Sequence, residues 1–159
     1  MKITVYCIGS LKESYWKEAI AEYKKRLGAY CVLEILEFPD YPCKEGASAK
    51  EMEDVKTREG EKVLAHLKPG EYLIALDSRG KNYDSIALAE HLDKTLVQHG
   101  SSVSFVLGGS MGFSKALYER ANEFISFGSS TFPHQLCRVM LLEQLYRSFR
   151  ILRNEPYHK

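Results

Sequence analysis

Val103-Ser104-Phe105-Val106-Leu107-Gly108-Gly109-Ser110-Met111-Gly112 is the stretch that decides how this chain folds. Val103 to Leu107 is a short, continuous apolar run, and it stops at glycines rather than continuing with helical periodicity. That pattern reads as a strand buried on both faces, the kind found in parallel sheets covered by helices. A strand running directly into a glycine turn also lets the backbone approach a ligand closely. In open α/β sheets, ligands sit beyond the carboxyl ends of such strands.

Working outward, strands and helices alternate. Lys2 to Ile8 reads as a strand, and Ser10 then caps a helix through about Leu27, with Leu11, Tyr15, Trp16, Ala19, Ile20, Tyr23 and Leu27 at three- and four-residue spacing. Gly28 closes that helix. Val32 to Phe38 is a second strand, followed by a loop from Pro39 to about Ala49 that is expected to be mobile. A charged amphipathic helix runs from Ser48 or Ala49 to Leu67 and is stopped by Pro69-Gly70. Tyr72 to Leu76 is a third strand, Asp77 to Lys81 a turn, and Ser85 to His99 a helix. Ser114 to Asn122 and Phe124 to Phe127 follow as a short helix and a short strand. Gly128 to Thr131 is a loop, and Pro133 suits the first turn of a last helix that carries Leu136, Val139, Met140, Leu142, Leu145, Phe149 and Leu152. The expectation is one α/β domain over residues 1–159 with a largely parallel sheet flanked by helices.

The chain has 159 residues, enough to bury roughly 70% of its unfolded surface in one core. Its four cysteines, Cys7, Cys31, Cys43 and Cys137, form no C-x-x-C pair, so free thiols in a reducing compartment are expected rather than a disulfide framework or a zinc site. The N-terminus alternates like a strand and does not resemble a signal peptide. No apolar run approaches a membrane span, and a cytoplasmic protein is expected.

The net charge of +1 makes no global case for nucleic acid, but it is unevenly distributed. From Pro133 onward there are five basic side chains (Arg138, Arg147, Arg150, Arg153, Lys159) against Glu143 and Glu155, a balance of +3. That is either a solvated helix face or a surface that meets phosphate.

The glycine turn itself lacks the G-x-G-x-x-G order of a dinucleotide site and has no Walker lysine. Gly108 to Gly112 does match G-x-S-x-G, so an α/β serine hydrolase with Ser110 as nucleophile is a rival reading. It is weakened because no aspartate follows Ser110. The five histidines form no metal-ligand pair, and no metal is expected. His66, His91 and His99 lie in polar helical surroundings and are expected to be exposed. His134 is either a structural residue at a helix start or an active-site base.

Thr131-Phe132-Pro133-His134-Gln135, Arg138-Val139, Glu143-Gln144-Leu145-Tyr146-Arg147 and Pro156-Tyr157-His158-Lys159 together resemble the ribosomal RNA large-subunit methyltransferase H family, a small branch of the SPOUT methyltransferases. The resemblance extends to Gly9, Tyr15-Trp16, the Leu76-Asp77 to Gly80-Lys81 turn and Gly108-Gly109-x-x-Gly112. It implies a SPOUT fold with a deep trefoil knot within roughly residues 70–159, a homodimer, and S-adenosylmethionine as cofactor. The implied reaction is methylation at N3 of a pseudouridine in 23S rRNA, within the ribosome. Carried over by position, Leu76, Gly108, Phe127, Gly128, Ser129, Ser130, Thr131 and Phe132 hold the cofactor. Tyr157 and His158 belong to a tail that completes the partner subunit's site. Tyr157 suits stacking on a base, and an imidazole such as His158 accepts protons near neutral pH. Glu143 and Arg147 either orient the tail or RNA, or form an ordinary ion pair one turn apart. Arg138 serves phosphate or structure.

Overall fold

The computed structural model describes residues 1–159 as ten alternating elements. These are β1 (Lys2–Ile8), α1 (Ser14–Leu27), β2 (Val32–Phe38), α2 (Ala49–His66), β3 (Leu73–Asn82), α3 (Ser85–Gln98), β4 (Ser102–Leu107), α4 (Lys115–Arg120), β5 (Glu123–Ser126) and α5 (His134–Leu152). The strands form one sheet in the order β2-β1-β4-β3-β5, and every pairing is parallel. β1 and β4 lie inside it, in register from Lys2 opposite Ser102 to Cys7 opposite Leu107. The two runs with the most continuous apolar character thus take the positions where both faces are covered.

Side chains alternate across the sheet as the pleat requires. Val103, Phe105 and Leu107 join Ile3, Val5 and Ile74 in a core closed by α1, α3 and α5. Val106 joins Tyr6, Ile8, Leu73 and Ala75 in a second core under α2 and α4. A fully buried Leu or Phe in either layer contributes about 1.5–3 kcal/mol. No helix is long and apolar enough to cross a membrane.

Three boundaries differ from the sequence reading, each for a local reason. α1 begins at Ser14, with Glu13 as N-cap and no side-chain cap, because Leu11 turns onto the core instead of joining the helix. Pro133 is the N-cap of α5 rather than a residue of its first turn. The largest difference lies in β3, which continues through the expected Asp77–Lys81 turn. Leu76 and Lys81 both pair with Ile125, so Asp77 to Gly80 leaves the ladder and the strand then rejoins β5. Only glycine fits at 80, where a Cβ would come within 2.6 Å of the carbonyl carbons of Phe124 and Ile125. Elsewhere local signals hold. Ser48 and Glu51 cap α2 reciprocally, a device worth about 1 kcal/mol. The Pro39–Ala49 loop, expected to be mobile, is fastened at Tyr41. Its N–H donates to Glu59 at 3.1 Å and its ring lies under the Lys62 ammonium.

Candidate functional site

β4 and β5 end beside the point where β3 leaves the ladder after Leu76, and the segments there enclose a cavity of about 600 Å³. Leu76 enters from β3 and Gly108 from the turn after β4, while Phe127, Gly128, Ser130, Thr131 and Phe132 come from the loop after β5. All expected cofactor residues except Ser129 therefore line one space; Ser129 is exposed and outside the lining. The wall also contains Asp77, Ser78, Ile125, Ser126 and Cys137, none of which carries a recognisable motif. For all but Cys137, which lies in the first turn of α5, the common signal is position close to where a strand leaves the ladder.

Local bonds shape this wall. Gly128 has φ +125°, and the Ser126 hydroxyl accepts its N–H at 3.0 Å while lying 2.8 Å from its carbonyl oxygen. That closes the loop into a small ring of polar backbone. Asp77 is committed elsewhere, accepting the Arg79 N–H at 2.9 Å and the Tyr118 hydroxyl at 2.5 Å. Burial raises its pKa, but those donors outweigh it and hold the carboxyl below the usual range. No lysine or arginine lines the cavity. Its chemistry is that of backbone amides, hydroxyls and apolar side chains.

His134 opens α5 at the edge of this cavity. Its Nε2 lies 3.2 Å from where a Cβ on Gly9 would stand, and Gly9 has φ +99°. Burial first, and the Arg138 charge second, push its pKa below 6.5, so the ring is neutral at physiological pH. Arg138 is only 1% exposed; it pairs with Glu37 at 3.1 Å and donates to the Gly9 carbonyl at 3.0 Å. That decides between phosphate and structure in favour of structure.

The other four expected catalytic residues gather away from His134, on the outer side of α5. Arg147 donates from Nε to Glu143 at 3.0 Å and from Nη2 at 2.5 Å. The Tyr157 hydroxyl donates to the same carboxylate oxygen at 3.2 Å. Arg147 Nη1 stands 3.3 Å from His158 Nδ1. A guanidinium has no acceptor, so a neutral His158 takes that bond at Nδ1 and carries its proton on Nε2. Burial, with Tyr23 and Glu143 adding to it, pushes the Tyr157 hydroxyl up to about 12.

The tail is anchored on its own helix by Arg150, which bonds Glu155 at 2.7 Å and the Pro156 carbonyl at 2.7 Å. Glu143 and His158 border a second cavity of about 600 Å³ with Tyr83 and Met140, and Ile125, Ser126 and Phe127 form the wall it shares with the first.

Of the five cations in the +3 segment, Arg138, Arg147 and Arg150 are held in ion pairs, and Arg153 and Lys159 are exposed. Of the histidines expected to be exposed, His66 and His99 are, but His91 is half-buried. It bonds Glu123 at 2.8 Å and stacks on Tyr83. The hydrolase reading of Ser110 finds no support. Ser110 is exposed and shares no hydrogen bond with any histidine. α4 does not start until Lys115, and Ser110 lacks a positive φ, whereas a nucleophile elbow is a sharp, strained strand-to-helix turn.

Comparison with known proteins agrees with this geometry. Over 96% of its length the chain superposes on a probable methylase family protein from Haemophilus influenzae Rd KW20, with a TM-score of 0.51 and 11% sequence identity. It spans 66% of that protein, and at this identity the likeness concerns the fold. Residues 1–158 match the family described as "Predicted SPOUT methyltransferase". The chain belongs to the SPOUT methyltransferase family.

Proposed function

We propose that this protein transfers a methyl group from S-adenosylmethionine to N3 of a pseudouridine in 23S rRNA, acting as a cytoplasmic homodimer on the assembled ribosome. The observation that carries the cofactor assignment is the cavity beyond Leu76 of β3 and the ends of β4 and β5, which lies where α/β folds bind ligands yet has no cation in its wall. A phosphate group is commonly met by a lysine or arginine. A methyl-donating sulfonium needs none, and about 600 Å³ is within the usual range for a ligand of that size.

S-adenosylmethionine, when bound, supplies a methyl group already activated for transfer. Backbone groups of Gly108 and of Phe127 to Phe132 offer hydrogen bonds to its polar atoms, and Leu76 and Phe132 supply apolar surface. The remaining requirements are alignment, exclusion of water and loss of the imide proton from the target nitrogen. Tyr157 offers a ring for stacking on an extruded base. The Nε2–H of His158, with Arg147 behind it, is a donor for a carbonyl oxygen on which negative charge grows as the imide proton passes to solvent. Glu143 holds both Arg147 and Tyr157 in place. In the homodimer, the tail of one subunit serves the cofactor cavity of the other.

The resemblance of the Pro156-Tyr157-His158-Lys159 tail and the Thr131 to Gln135 segment supports the RNA target. With most of the C-terminal arginines engaged in ion pairs, a single subunit has little to offer phosphate, so binding depends on the folded particle. A trefoil knot is part of this reading. It is supported by the departure of Asp77–Gly80 from the sheet and the tight passage of Gly80 against the backbone of Phe124 and Ile125.

Calorimetry of the pure protein with S-adenosylmethionine tests the cofactor; no binding overturns the proposal. Mass spectrometry of 23S rRNA from a strain lacking the protein tests the target. One pseudouridine is expected to lose a methyl group, and an unchanged modification pattern refutes the assignment.

A further inference from the structure

Glu59 is the one buried carboxylate that the proposed reaction leaves unused. It lies in α2, a helix whose only buried residues are Glu59, Gly60 and Val63, and it is 3% exposed. One carboxylate oxygen accepts the Tyr41 N–H at 3.1 Å. The other is inaccessible to water and has no partner. That second oxygen faces the glycine turn, 3.0 Å from where a Cβ of Gly109 would stand. A buried carboxylate with a bare oxygen is costly, and residues that break local rules in this way tend to serve a site.

The neighbouring contacts repeat the theme. A Cβ at Gly60 would fall 2.4 Å from the hydroxyl of Ser114, the residue that caps α4 just after the turn. Adjacent residues of α2 therefore press on both ends of Gly109–Ser114. Burial raises the Glu59 pKa, with Asp40 adding to it and the Tyr41 bond opposing it.

We infer that Glu59 is a positioning residue, holding the Gly108-Gly109-Ser110 wall of the ligand cavity in shape and coupling it to the Asp40-Tyr41 segment. The inference rests on reading that cavity as the S-adenosylmethionine site. Its physical content is that two segments with no direct bond between them share one buried carboxyl group. Loosening that group loosens both.

The test uses the full-length protein and the variants Glu59→Ala, Glu59→Asp and Glu59→Gln. Amide hydrogen exchange is measured over Asp40–Tyr41 and Gly109–Met111, alongside S-adenosylmethionine affinity by calorimetry. Shortening the side chain to Asp or Ala is expected to speed exchange in both segments together and to weaken binding about tenfold, the scale on which a lost supporting contact acts. Gln keeps the length and the acceptor for Tyr41, and it should restore both readouts. If Glu59→Ala does not fold, Glu59→Asp decides. Unchanged exchange at Gly109–Met111 in a folded Asp or Ala variant overturns the inference, and so does failure of Gln to rescue. If the wild-type protein does not bind S-adenosylmethionine, the cofactor reading falls, while exchange still decides whether Glu59 couples the two segments.

Discussion

Arg138 Nη2 donates to the carbonyl oxygen of Gly9 at 3.0 Å, a bond between residues 129 positions apart. It joins α5 to the end of β1, beside the helix start that carries His134. The same guanidinium pairs with Glu37 on β2, so one buried cation secures the ends of two strands and depresses the pKa of the histidine one turn away.

That arrangement makes the two partners of the ion pair unequal. Arg138→Ala removes a fully buried side chain and strips the Gly9 carbonyl of its donor, for an expected loss of about 3 kcal/mol. Glu37 is 45% exposed, and Glu37→Gln should cost about 1 kcal/mol or less. Urea unfolding of both variants checks this; equal losses would contradict it.

His134 should impose a pH dependence on stability. Its pKa is lowered in the folded protein, by burial and then by Arg138, so the unfolded chain binds the proton more readily. The contribution is complete above about 6.5, the unfolded value, and is lost as pH falls through the lowered folded value. Urea midpoints measured between about pH 7.5 and 5 should fall more steeply for wild type than for His134→Gln. Parallel curves would show that the ring does not titrate as described.

Gly80→Ala tests the passage of β3 against β5. Added Cβ atoms cannot be accommodated 2.6 Å from two backbone carbons, so the strands must separate, at a cost of about 3 kcal/mol or failure to fold. Gly46→Ala, at φ +78° with open space around it, should cost only about 1 kcal/mol. A thermal melt of each suffices, and a Gly80→Ala protein as stable as Gly46→Ala would refute the close approach.

Deleting Tyr157 to Lys159 separates binding from chemistry. The tail touches α5 and lines the second cavity, and none of its residues lines the first. S-adenosylmethionine affinity should change by less than about threefold, while methyl transfer to ribosomes falls by about 10²-fold or more. Loss of both together would contradict this, because the tail would then hold the cofactor and not only the target base.

The sheet was largely legible because its signals are local. Continuous apolar runs such as Val103 to Leu107 must be buried on both sides, and Pro69-Gly70 stops the helix before it through the chain's own backbone limits. Leu76, Gly108 and Phe127 fall at or near strand ends and so point to a ligand, whereas the rest of the segment to Phe132 is tied to the cofactor by the family resemblance. The passage of β3 beyond Asp77 could not, since Asp-Ser-Arg-Gly-Lys has turn composition and its return to the ladder depends on β5, more than 40 residues later.

Charge behaved in the same way. Sequence by itself determined how many cations follow Pro133, the alternation of strands and helices, and the residue types available for a cavity at the strand ends. Tertiary structure alone decided that Arg138 is buried against Glu37 and Gly9, that Arg147 meets His158 at Nδ1, and that Glu59 keeps a bare oxygen against Gly109. The physical reason is range: propensity and periodicity act over a few residues, whereas desolvation and hydrogen-bond pairing depend on which distant groups packing brings within about 3 Å.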